Sequence, residues 1–211
     1  MKQPITQTPY RRELKDRILQ AAFREFTSKG VKAVKMDDLA ELLCISKRTL
    51  YEIYGTKETL LLEMVKQHED HLDNHIRSFM AERPRNVMEI LLEFYKLQMK
   101  ELDNTSIAFY EEIHKYKSVI EFLETKHKRR HDYSQAFFKE GIKEGYFRDD
   151  IDYEIVQILG SNSMEKIMRA QLYKKYSLKR IYKNMVFLYL RGCCTLKGIH
   201  VVDEKLLGKF N

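Results

Sequence analysis

Between positions 47 and 57 the chain reads KRTLYEIYGTK. Lys47 and Arg48 bring positive charge, Thr49 a hydroxyl and Tyr51 a phenol, all near the start of a helix that Ser46 is suited to cap. Leu50 and Tyr54, four residues apart, share the opposite face and can turn inward. A helix that opens with cations, a hydroxyl and a phenol is suited to phosphates and base edges in a major groove. It can read them only if another element fixes its angle. The preceding stretch supplies one: Met36, Leu39, Ala40 and Leu43 recur at helical spacing, with Asp37 and Asp38 in the first turn, where negative charge suits the helix dipole. Cys44 and Ile45 make the corner between the two. The pattern is a helix-turn-helix.

The run DDLAELLCISKRTLYEIYGTKETLL resembles the DNA-binding signature of TetR-family (tetracycline-repressor-type) transcriptional regulators. The resemblance implies that Lys47, Arg48 and Thr49 face bases or phosphates, and that Tyr51 and Lys57 grip the phosphate backbone. Two positions depart from the family pattern. Where the family often has Gly in the turn this chain has Cys44, so the turn is expected to form without a residue tolerant of positive φ. Where many members cap the first motif helix with Thr, this chain has Lys35, whose side chain offers no acceptor. Neither departure removes a contact residue.

Other constellations weigh less. His68, His71 and His75 fall three and four apart, a spacing that can chelate a divalent metal, but no fourth ligand stands beside them. No metal and no cofactor is expected, and His68 falls on an apolar stripe. The run KHKRRH over 126–131 is read as a solvated helix face rather than a second nucleic-acid patch. Cys193 and Cys194 are read as small packing residues. No catalytic set stands out: there is no phosphate-cradling glycine loop, no H-E-x-x-H and no nucleophile elbow. A non-enzymatic protein is expected.

Charge agrees with the motif. Residues 1–58 hold 12 Lys+Arg against 8 Asp+Glu, and the remaining residues hold 26 against 23, so positive charge is denser where DNA would be met. The first residues are polar, and the longest apolar run near the end, 185–190, is far too short to span a bilayer. A cytoplasmic protein with no membrane partner is expected. Its three cysteines, two of them adjacent, suggest reduced thiols.

Around the motif the periodicity is helical throughout, which gives an all-α fold of about nine helices. Residues 1–56 are assigned to a three-helix DNA-binding domain and 57–211 to a helical ligand-binding and dimerisation domain. The first predicted helix spans 11–29, with Leu14, Ile18, Ala22 and Phe26 as a stripe packing on the motif and Gly30 as the stop. Thr56 caps a long helix to about 82, and Asn86 caps a fifth over 87–102, apolar around most of its circumference. Thr105 or Ser106, 118–144, Asp150 or Asp152 and Ser177 mark the remaining helices, the eighth reaching about 173, with a short tail after Gly198 that turns over 203–207. The resemblance implies a regulatory second half. Phe94, Tyr95, Phe109 and Tyr110 are the expected walls of a small-molecule site. The eighth and ninth helices are too apolar for one wet face, which points to a homodimer through a four-helix bundle. The expected function is a ligand-responsive repressor that leaves a near-palindromic double-stranded operator when an effector binds. The alternative is a DNA-bound adaptor whose helical domain binds a protein.

Overall fold

The computed structural model describes residues 9–207, leaving aside the side chains of residues 127, 129–132 and 207. The arm at 1–8 therefore lies outside the described residues, as do four side chains of the basic run, those of His127, Arg129, Arg130 and His131. In chain order the helices are α1 (Pro9–Lys29), α2 (Met36–Leu42), α3 (Lys47–Tyr54), α4 (Lys57–Ala81) and α5 (Val87–Asn104). They continue with α6 (Ile107–Ile113), α7 (Lys117–Lys143), α8 (Tyr153–Arg169), α9 (Leu178–Cys193) and α10 (Leu196–Val202). The chain packs as two compact units, one reaching to Asp73 and including Asn104–Glu124, the other built from Asn74–Asp103 and from Thr125 onward.

The first unit is organised by the apolar stripe of α1. Ile18, Ala22 and Phe26 are fully buried and Leu14 nearly so, against Leu39, Leu50, Leu60 and Leu61. Gly30 ends α1 at φ +86, its N–H donating to the Phe26 carbonyl at 2.9 Å. A Cβ there would lie 2.9 Å from the Ala108 Cβ, so only glycine suits both the left-handed backbone and the close approach of α6. The Ser106 N–H donates to the Thr27 carbonyl at 2.7 Å and the Lys32 N–H to a Glu112 carboxylate oxygen at 2.6 Å, while Phe109, Ile113 and Val119 join the same core. Packing thus groups 104–124 with α1 to α3 and the first part of α4.

The second unit has its own core of Val87, Met88, Tyr95, Met99, Phe147 and Tyr153 with both adjacent cysteines. Phe138 stacks on Tyr153 at 4.3 Å between ring centroids, and Phe137 and Phe147 complete the cluster. A short antiparallel bridge pairs Phe147 with Cys194: the Arg148 N–H donates to the Cys193 carbonyl at 3.0 Å and the Thr195 N–H to the Tyr146 carbonyl at 2.9 Å. Cys193 and Cys194 are free thiols, buried among these rings, and burial pushes the Cys194 thiol up to about 11. They pack as small residues. Two boundaries differ from expectation. α8 stops at Arg169 because Gln171 takes a left-handed φ of 52 ahead of a short 3-10 turn. And α10 replaces the expected tail: Thr195 caps it, Gly198 lets it approach the Tyr146 carbonyl, and Val202 is buried. Seven residues are too few to show a helical period in sequence.

The corner of the motif corrects one expectation. Cys44 does adopt positive φ, at 54, and the turn is a Schellman motif: the Cys44 N–H donates to the Glu41 carbonyl and the Ile45 N–H to the Ala40 carbonyl, each at 3.0 Å. A left-handed conformation costs an L-residue on the order of 1–2 kcal/mol, part of which glycine would return to its greater unfolded entropy. Cys44→Gly should therefore stabilise the protein by about 1 kcal/mol, and Cys44→Val should destabilise it. Urea unfolding midpoints of the two variants test the pair together.

Candidate nucleic-acid interface

α3 is held by one polar and two apolar contacts. Ser46 accepts the Thr49 N–H at 3.0 Å, while Leu50 and Tyr54 are buried in the first core. The Tyr54 hydroxyl donates to the Lys15 carbonyl at 3.3 Å, and burial raises its pKa far above the usual phenol range, with Glu63 and Asp16 adding to the effect. It is a neutral anchor. With that face fixed, Lys47, Arg48 and Tyr51 point to solvent; the Arg48 side chain is 88% exposed.

The outward cations are not idle. Lys47 pairs with Asp37 in the first turn of α2, and Arg48 Nε donates to Glu52 at 2.8 Å, one turn further along α3. Each acid, first by hydrogen bond and then by charge, raises the pKa of its cation. Exposed pairs of this kind are cheap to exchange for a phosphate. Thr49 is half-buried and its hydroxyl shares a hydrogen bond with Ser46 Oγ at 2.8 Å, so it also serves the cap.

Lys57 opens α4, where Thr56 accepts the Thr59 N–H at 3.1 Å. Its stem is partly buried, its Nζ 5.8 Å from the centre of the Phe26 ring, and burial lowers its pKa while Glu112 and Asp38 oppose the shift. The missing cap on α2 is offset from the other side: the Lys35 side chain makes no cap bond, but the Asp38 carboxylate accepts the Lys35 N–H at 2.9 Å. All five expected contact residues therefore lie in the first unit, on or beside one helix.

Two acids here were not singled out in the sequence, and a third, Asp37, was read only for its place in the first turn of α2. Glu52 could have been, four residues after Arg48; Asp37 meets Lys47 only once the motif has folded; and Glu112 carries no sequence signal at all. Elsewhere two of the three histidines, His68 and His71, share the lining of one groove, and His75 lies apart from it. His68 stacks on Phe23 at 4.6 Å, lining a groove of roughly 270 Å³ between α1 and α4 with Leu19, Met64 and Gln67. His71 is exposed and His75 meets Glu93 at 2.9 Å. The four expected wall aromatics divide between the units. Phe109 is in the first core with Tyr110 edge-on to it, whereas Tyr95 is in the second core and Phe94 is 43% exposed.

Residues 18–64, which hold the whole motif with its flanking helices, match the sequence profile of bacterial regulatory proteins of the tetR family. Over those residues the chain carries the DNA-binding segment typical of TetR-family regulators. It is 24% identical over 147 residues to the HTH-type transcriptional repressor KstR2 of Mycolicibacterium smegmatis, a match that covers 67% of this chain and 71% of the relative. The fold agrees over a longer stretch. A transcriptional regulator from Saccharomonospora viridis, solved in complex with choline, superimposes with a TM-score of 0.69 at 17% identity, covering 87% of this chain and 99% of that one. The ketosteroid transcriptional regulator KstR2 of Mycobacterium tuberculosis gives 0.54 at 17% identity, over 86% of this chain and 95% of the other. The described residues of the second unit are helical too, and among the described residues no helix is long and apolar enough to cross a membrane.

On DNA the two kinds of cation should behave differently. Arg48→Ala should weaken binding to the preferred sequence more than to random DNA. Lys57→Met keeps the apolar stem against Phe26 and removes only the charge, so it should weaken binding to all sequences and reduce the salt slope by about one unit. Fluorescence-anisotropy titrations at several salt concentrations separate the two effects.

Proposed function

We propose that this regulator is a ligand-responsive repressor: a homodimer that holds a near-palindromic operator and leaves it when a small molecule binds its helical half. The observation that carries the DNA part is α3, whose Leu50 and Tyr54 are buried while Lys47, Arg48 and Tyr51 face solvent. Those three, with Thr49 and Lys57, are the residues we assign to DNA, and 1–56 is the DNA-binding portion. Repression is supported by the likeness to KstR2 repressors.

Dimerisation is supported by α8 and α9. Ile155, Ile158 and Leu159 are each about half exposed, and Leu188 is 74% exposed, an apolar area unusual for a surface meant to stay wet. Phe187 turns the other way, packing toward Tyr95, so Leu188 is the residue to test. A dimer that reads both halves of a palindrome needs its two α3 helices about one DNA turn apart, roughly 34–36 Å. The same apolar surface suits the alternative, an adaptor that offers it to a protein partner. For the effector, relatives in fold include a choline complex and a ketosteroid regulator. Of Phe94, Tyr95, Phe109 and Tyr110, we base the site on Tyr95, the one buried in the second core.

Two outcomes are expected. Leu188→Asp should turn a wild-type dimer into monomers in sedimentation velocity and cost most of the affinity for a two-half-site DNA. A wild-type monomer at micromolar concentration would favour the adaptor instead. And titrating apolar metabolites into the complex with DNA selected from a random pool should release it for at least one compound.

A further inference from the structure

Tyr95 is only 3% exposed, and its hydroxyl is buried with no hydrogen-bond partner. A phenol in that position has given up its bonds to water and gained nothing in return, a loss that native structures rarely tolerate without a reason. Packing is not the reason. Phenylalanine fills the same space without the unmet donor.

The surroundings suggest what the donor is for. Tyr182 of α9 lies nearly parallel to Tyr95, ring centroids 6.2 Å apart and planes 19° off, and Phe187 flanks it at 6.3 Å. Burial pushes the Tyr182 phenol up to about 12, with the nearby Tyr95 and Glu101 contributing, so both phenols keep their protons at neutral pH and can donate. On the same face of α5, Met88 lies seven residues before Tyr95 and Met99 four after, both buried in the second core. Unbranched thioethers are the side chains best able to repack around a guest.

We propose that Tyr95 is the polar anchor of the effector site, donating its O–H to the carbonyl or carboxylate oxygen of an otherwise apolar ligand seated against Tyr182 and Phe187. The proposal rests on the reading that a small molecule controls this regulator. It narrows the ligand class: a hydrocarbon leaves the phenol unmet, and a cation without an acceptor atom does the same, so an apolar ketone, acyl compound or carboxylic acid is the fit.

The test uses the full chain and two probes of the same shape, 2-decalone and decalin. Without any probe, Tyr95→Phe should raise the thermal midpoint by roughly 2–6 °C, because it removes an unmet donor. With probe, the ketone should bind wild type at least tenfold more tightly than Tyr95→Phe, measured by calorimetry, whereas the hydrocarbon should not distinguish the two proteins. A lowered midpoint in Tyr95→Phe would show that the hydroxyl is already satisfied and would overturn the proposal. So would a ketone that binds both proteins equally or neither. Effector control fails separately: Tyr95-dependent binding of the ketone, with no compound ever releasing DNA, would leave the anchor standing and remove the regulatory reading.

Discussion

The first unit depends on the contact of α6 with the turn that follows α1. The contact has no slack. Gly30 lies so close to Ala108 that a single methyl group would collide, and the Thr27 carbonyl and Lys32 N–H are each taken up by a partner from the α6 segment. Phe109, Ile113 and Val119 then close the core that α1 shares with α2 and α3. Burying side chains of this size contributes roughly 1.5–3 kcal/mol apiece, against a total stability on the order of 5–15 kcal/mol for a typical domain. The angle at which α3 is presented thus depends on residues far along the chain. The chain passes between the units at three places, within α4, at the end of α5 and within α7.

Electrostatics in the same unit works by holding rather than by adding charge. The enrichment of cations in the first 58 residues is small. What the fold adds is placement: Asp37 and Glu52 keep Lys47 and Arg48 extended beside the exposed face of α3, each by a contact that solvent and phosphate can readily replace. Lys57 is set differently, its stem partly covered and its charge at the first turn of α4. An interface built this way separates positioning from attraction. Under the assignment proposed above, Arg48 would respond to sequence and Lys57 to any backbone.

What the sequence made legible was local. Ser46, Thr56, Asn86 and Ser177 each cap the helix they were expected to cap, and Ser106 and Asp152 do so out of the pairs 105/106 and 150/152 that the sequence left open, because a cap is decided within three residues. The inward pair Leu50 and Tyr54 followed from spacing alone. Long-range facts were not legible. Nothing in the order of residues says that Glu112 meets the Lys32 backbone, that α6 belongs with α1, or that Phe109 and Tyr95 fall into different cores. Cys44 shows the remaining limit: the turn imposes a left-handed backbone on whatever residue stands there, and the hydrogen bonds of the Schellman motif override the preference of the side chain.

The closure of the first core by α6 also bears on how such chains can be recombined. A protein whose reading head were self-contained could exchange it at the end of α3, as one exchanges a tool on a handle. Here a cut after residue 56 would take Leu60, Leu61, Met64, Phe109, Ile113 and Val119 out of the core to which Phe26 and Val31 belong. A working transplant has to carry 104–124 along, or redesign the surface that those residues hide. Grafting and inheritance alike are thereby restricted to whole chains, or to pairs of segments that change together.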